Sequence, residues 1–203
     1  MGFLKKIFGS NRDEIWRQLS HEIGGEFVEG SFTKSSRVKV QIKEWVVTLD
    51  TFTVSTGNSS STYTRMRAPY VNPDQFRFTI YRRSVFSNLG KLLGMQDVSI
   101  GEAVFDEAFI IKANDEAKVR QLFQIAKLRE MVASQPRIHL TVKDDEGWFG
   151  KEFPEGVDEL CFQVGGVLKD IEQLKSLYLL FAVTLSSLCH LGSAYEDDPN
   201  VEL

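Results

Sequence analysis

From Asp170 onward apolar residues recur at helical spacing, at Ile171, Leu174, Leu177, Tyr178, Phe181, Leu185 and Leu188. Asp170 is placed to cap the first turn, Gln173 completes a capping-box pattern, and Gly192 ends the run. Leu179, Leu180, Val183 and Leu191 put apolar groups on the other faces, and no Asp, Glu, Lys or Arg appears between Ser176 and Tyr195. The pattern predicts a helix whose second half is enclosed nearly all round. A stretch of about twenty uncharged residues is also long enough to cross a bilayer. Thr184, Ser186, Ser187, His190, Gly192 and Ser193 dilute its hydrophobicity, however, and the charged first turns continue the same stripe. A core helix lying on a sheet is therefore expected.

Elsewhere the period changes. Ile15, Trp16, Leu19 and Ile23 form a helical stripe, with Asn11 and Glu14 as a capping box and Gly24 and Gly25 at the end. From 26 to 82 the period is two. Val38, Val40 and Ile42 alternate with Arg37, Lys39, Gln41 and Lys43, and Trp45, Val47 and Leu49 continue beyond a turn at Lys43 and Glu44. The polar tract 55–61 reads as a hairpin tip, and 62–68 as the returning strand, which Pro69 either breaks or marks as an edge. In the next strand, 75–81, Phe76, Phe78 and Ile80 point inward and Arg77, Thr79 and Tyr81 outward. These strands predict an antiparallel meander. Further on, the pattern predicts a short helix over 84–93, a strand over 105–112, and one helix from Asn114 or Asp115 to about Ser134. Strands over 137–143, 148–153 and 159–164 follow.

The expected fold class is α+β: the meander, then a β-α-β-β-β-α unit over 105–191 that ends in the long apolar helix packed on sheet. The chain divides into an amphipathic segment 1–10, a helix-plus-meander part 11–93, the second unit within 94–195, and an acidic tail 196–203. Both larger parts fit into one compact domain, and one continuous sheet or two layered units satisfy the pattern equally.

The stretches FDEAFIIKANDEAKVRQLF, PEGVDELCFQV and GSAYEDDP, within 89–199, resemble bacterial proteins of unknown function. The resemblance implies a bacterial cytosolic protein and brings no catalytic residues with it.

Composition narrows the function. With 42% hydrophobic and 26% charged residues the chain is ordinarily globular, and a net charge of -4 disfavours broad affinity for nucleic acid. Cys161 and Cys189 lie in apolar runs without metal-ligand spacing, and His21, His139 and His190 are scattered, so neither metal nor cofactor is expected. Asp144, Asp145 and Glu146 lack the ligand spacing of a calcium loop, and Asp106 and Glu107, adjacent on a strand, would face opposite ways. Ser186 and His190 are one helical turn apart without an orienting acid. One basic and aromatic cluster stands out: Tyr63, Arg65 and Arg67 on one strand, and Arg77, Tyr81 and Arg83 on alternate positions of the next. If those faces coincide, they suit phosphate, carboxylate or a stacked base; solvated cross-strand pairing is the plainer explanation. At the N-terminus Phe3, Leu4, Ile7 and Phe8 flank Lys5 and Lys6, a pattern suited to a protein partner or a weak contact with an anionic membrane surface. Together these features point to a non-enzymatic binding or adaptor module, cytoplasmic and membrane-associated if that segment is used. The alternative is a small-ligand-binding or hydrolytic domain with a pocket beneath the last helix.

Overall fold

The structure, a computed structural model, describes residues 11–31, 35–85, 96–144, 153–201 and 203. The N-terminal amphipathic segment and most of the expected helix 84–93 lie outside the described residues, as do most of the expected strand 148–153 and most of the acidic turn before it.

The alternating segments become β1 (Glu26–Val28), β2 (Arg37–Ile42), β3 (Trp45–Thr56) and β4 (Ser59–Val71), each antiparallel to the next. Then come β5 (Phe78–Arg82), a 3-10 turn (Arg83–Val85), β6 (Gln96–Asp97), β7 (Phe109–Ala113), β8 (His139–Lys143) and β9 (Val157–Gly165). The described strands form a single sheet in the order β1-β2-β3-β4-β9-β8-β5-β7-β6. With helices α1 (Arg12–Glu22), α2 (Ala103–Ala108), α3 (Glu116–Phe123), α4 (Ala126–Ser134) and α5 (Ile171–His190), the fold is α+β.

Several local expectations are corrected. The meander ends at β4, because β9 and β8 lie between β4 and β5. Pro69 does not break β4: it sits opposite Glu159 of β9, and on the β3 side the ladder has already ended at Arg67, so a missing N–H removes no ladder bond there. The expected strand 105–112 begins as helix α2, whose Asp106 carboxylate accepts the N–H groups of Ile100 and Gly101, and β7 starts only at Phe109. The single helix expected to Ser134 is two, broken at Gln124 and Ile125. Asn11 precedes α1 without a side-chain cap, while Asp13 accepts from Ser36 and Arg12.

One face of the sheet carries the core. Leu49, Met66, Ala68, Leu160, Phe162, Leu140, Phe78 and Ile80 are buried with Trp16 and Leu19 of α1 and with Leu174, Leu177, Phe181 and Leu185 of α5. Each of the Leu, Ile, Met and Phe side chains among them contributes roughly 1.5–3 kcal/mol by burial. Trp16 fixes α1 by donating its indole N–H to the carbonyl of Leu168 at 3.1 Å. At the end of α1 the chain passes so close to β2 that a Cβ on Gly25 would lie 2.7 Å from Val40 Cγ2 and 2.8 Å from the Lys39 carbonyl oxygen. No other residue fits that approach.

Helix α5 is capped as its sequence requires. Asp170 accepts the N–H of Gln173 at 3.0 Å; at the other end Gly192 (φ 72) lets the N–H of Ser193 reach the carbonyl of Leu188 at 2.9 Å and its own N–H that of Cys189 at 3.0 Å. No described helix is long and apolar enough to cross a membrane. The tail after α5 stays on the protein: Tyr195 bridges to Val71, Glu196 pairs with Lys43, and Asp198, Asn200, Val201 and Leu203 line a groove with Lys39, Val46, Thr48 and Pro69.

Candidate functional site

The basic and aromatic residues divide among four places. Tyr63, Arg65 and Arg67 share one face of β4, opposite the core. There Arg65 forks onto Asp50 with two bonds of 2.9 Å, and Arg67 Nη2 reaches Asp50 Oδ2 at 2.6 Å. The register explains the fork, since Asp50 lies directly opposite Arg65 in the β3–β4 ladder. Tyr63 stacks on Phe52 with centroids 5.3 Å apart, and the Arg65 guanidinium lies 5.0 Å from the Phe52 ring centre. Arg77 forks onto Asp158 and also bonds Asp144. Tyr81 is buried edge-on to His139, three strand spacings from β4, on the order of 14 Å. Arg83 donates to the backbone carbonyls of Glu107 and Asp106. The structure thus brings together Tyr63, Arg65 and Arg67, and each of the four arginines is engaged within the chain.

Beside them sits a residue the sequence did not single out. Glu159 of β9 is fully buried, 3.8 Å from Arg67 Nη1 and 3.4 Å from Lys143 Nζ, and among the described residues neither carboxylate oxygen has a hydrogen-bond partner. The two acids respond oppositely. Burial raises the pKa of both, but hydrogen bonds from Arg65 and the charges of Arg67 and Arg65 pull Asp50 below its ordinary value. For Glu159 the charges of Arg67 and Lys143 do not outweigh burial, and its pKa is raised. Cys161, buried next to them, has its thiol pushed up to about 12 by burial and the Glu159 charge, so it is inert. The cluster is a closed ion-pair network with little surface for a ligand.

An open apolar surface lies on the helical side. Helix α5 is not enclosed all round: Leu179 is 51% exposed, and with Ala182, Val183, Ser186 and His190 it forms a stripe along the outer face. The break between α3 and α4 sets Ile125, 36% exposed, against this stripe. Ile125, Ala182, Val183, Ser186, Ser187 and His190 line a groove of about 540 Å³. Ser187 donates to the carbonyl of Val183, and His190 Nδ1 lies 2.6 Å from the carbonyl oxygen of Ser186, so both polar groups are turned back onto the helix. The remaining lining is largely apolar, Ile125, Ala182 and Val183 with the Ser186 hydroxyl, and no Asp, Glu, Lys or Arg is among its lining groups. The space beneath α5, where a ligand pocket was the alternative expectation, is filled by Leu174, Leu177, Phe181, Leu185 and Leu188.

An antiparallel sheet with a buried helical layer on its core face and an open groove along α5 defines a class of architecture more than a chemistry. Among solved structures the chain is similar to the mycobacterial trehalose monomycolate transport factor A, TtfA, with a TM-score of 0.53 and 8% sequence identity over 87% of this chain and 94% of that one. That likeness shows a shared fold. No protein-family model matches the chain, and no curated protein does.

Proposed function

We propose that this chain is a non-catalytic binding or adaptor module that receives the apolar face of a partner protein's helix along α5. The observation that carries the proposal is the groove between α5 and Ile125, lined by Ala182 and Val183, together with Leu179, which stands half exposed one turn before Val183 on a helix whose other large apolar side chains are largely covered. Single exposed apolar residues are ordinary; a stripe of Leu179, Ala182 and Val183 with a facing isoleucine is the pattern into which an amphipathic helix packs. The fold neighbour is a transport factor, and a binding role is compatible with that likeness.

The test places a photo-crosslinking amino acid at Ser186 of the full chain in the cells that make it. One discrete heterologous adduct is expected, abolished by Leu179→Asp while the thermal midpoint of that variant moves by only a few degrees, as for a surface substitution. No adduct, an adduct with a second copy alone, or one indifferent to Leu179→Asp refutes the proposal.

A further inference from the structure

Strands β3 and β4 outrun their neighbours. The ladder between β2 and β3 stops at Val38 and Leu49, and that between β4 and β9 at Thr64 and Val164, while β3 and β4 stay paired as far as Thr56 and Ser59. The resulting arm closes on Gly57 (φ 57) and Asn58.

A two-residue tip makes the closing pair hydrogen-bonded, and bonded pairs then alternate back through Val54 with Ser61 and Phe52 with Tyr63. The N–H and C=O groups of Thr53 and Ser55 therefore point away from β4, along the edge on the β2 side. Two contacts confirm this phase. Ser35 Oγ donates to the Thr51 carbonyl at 2.8 Å on that edge, and the N–H of Gly166 donates to the Thr62 carbonyl at 2.8 Å on the opposite one. Past Thr51, no described residue bonds the edge groups of Thr53 or Ser55.

Sheet edges are ordinarily blunted by charge, proline or a bulge. Between Asp50 and Arg65 this chain has no charged residue and no proline, and the pairing runs without a bulge. One side of the arm presents the Phe52–Tyr63 stack and Val54, which is 43% exposed. The other presents hydroxyls paired across the strands, Thr53 with Thr62 at 3.1 Å and Ser55 with Ser60 at 3.0 Å.

We infer that the edge of β3 from Phe52 to Thr56 receives an extended, uncharged strand of another protein, added to the sheet through main-chain hydrogen bonds. Alternating donors and acceptors repeating every two residues, about 6.8 Å, are matched by another extended backbone. The side chains fit apolar groups beside Phe52 and Val54 and small hydroxyl-bearing ones beside Thr53 and Ser55. A charged strand would lose hydration without finding a counter-charge, because Asp50 is already held by Arg65 and Arg67. Ser35 and Arg12, both bonded to Thr51, stop the added strand at its inner end. A homodimer resting on this edge alone would engage only about five residues a side, against roughly 20–30 in a stable interface, whereas a short strand bound transiently needs no such area, so the occupant is a segment of a different chain. This surface lies on a different element from the α5 groove and is independent of it.

The test measures amide hydrogen exchange of the full chain with a short acetylated and amidated peptide of alternating threonine and valine as the probe strand. Exchange at Thr53 and Ser55 is expected to slow by about ten-fold or more at saturating peptide, with Gly57 and Asn58 unchanged. Ser55→Pro removes an outward N–H and leaves the bonds to β4 intact; it is expected to melt within a few degrees of the parent chain and to abolish the slowing at Thr53. Unchanged exchange at saturation refutes the inference, as does equal slowing in the proline variant. Protection that rises with protein concentration in the absence of peptide overturns it in favour of self-pairing.

Discussion

Asp50 and Glu159 carry the same charge in one network, yet their removal should have opposite consequences. Asp50 accepts three hydrogen bonds from two arginines and is 8% exposed. Asp50→Ala leaves Arg65 with its bidentate partner gone and strips Arg67 of its 2.6 Å contact, and breaking a buried pair from one side costs about 3–5 kcal/mol. Glu159 is a buried carboxylate to which no described residue gives a hydrogen bond, with Lys143 at 3.4 Å and Arg67 at 3.8 Å. Glu159→Gln keeps the shape, removes the buried charge and gives the Arg67 and Asp50 pair less competition, so it should be neutral or stabilising by up to about 2 kcal/mol at pH 7. The pH dependence follows the same opposition. Asp50, lowered in the folded chain, contributes stability that is fully present above its unfolded pKa of 3.8 and is lost as pH falls through the folded value. Glu159, raised, contributes stability that is fully present below 4.5 and is lost as pH rises through its folded value, so it weighs against folding at neutral pH. Urea unfolding of the parent and both variants at pH 5 and pH 8 measures this directly. The reasoning fails if Glu159→Gln costs more than about 2 kcal/mol at pH 8 or Asp50→Ala costs less than about 1 kcal/mol.

Phe181→Ala, which empties a fully buried site where α5 meets the sheet, is expected to lower stability by about 3–5 kcal/mol in chemical denaturation; a loss under about 1 kcal/mol would mean that the helix is not seated on this core. Burial and the nearby Lys143 charge hold the His139 imidazole at a pKa of about 4, so its NMR titration should remain flat from pH 8 down to about 5, and stability tied to it is present above 6.5 and lost as pH falls through the folded value. A midpoint near 6.5 would refute the burial of that ring.

The long helix and the first hairpins are legible in the sequence because their signals are local: a 3.6 period with Asp170 and Gly192 at the ends of α5, and a period of two in β2 and β3. The place of β5 is not. Which strand edge it takes depends on β8 and β9, which follow much later in the chain, and no local pattern encodes that choice. Helix α2 is hidden because Phe105 and Phe109 are four apart while Phe109, Ile111 and Ala113 alternate, so two periods overlap in one short run. The break before α4 carries neither Gly nor Pro at Gln124 and Ile125, and without it the position of Ile125 opposite α5 cannot be foreseen. The Asp50–Arg65 fork was within reach, since counting back from a two-residue tip at Gly57 and Asn58 sets the two opposite one another. Glu159 was not, because only the β4–β9 pairing brings it beside Arg67.

That pairing also governs how the chain reaches its fold. β9 is the seam of the sheet, with the strands β1 to β4 on one side and β8, β5, β7 and β6 on the other, and it joins partners as distant in sequence as Thr64 and Val164. During synthesis both halves exist before their seam does, each presenting a bare strand edge, β4 on one and β8 on the other. Closure is a late, high-contact-order event that must wait for residues from Val157 onward to leave the ribosome. A chain cut short of Val157 is therefore left with two unsealed edges and without α5 to cover the core, a species suited to aggregation and proteolysis more than to partial function.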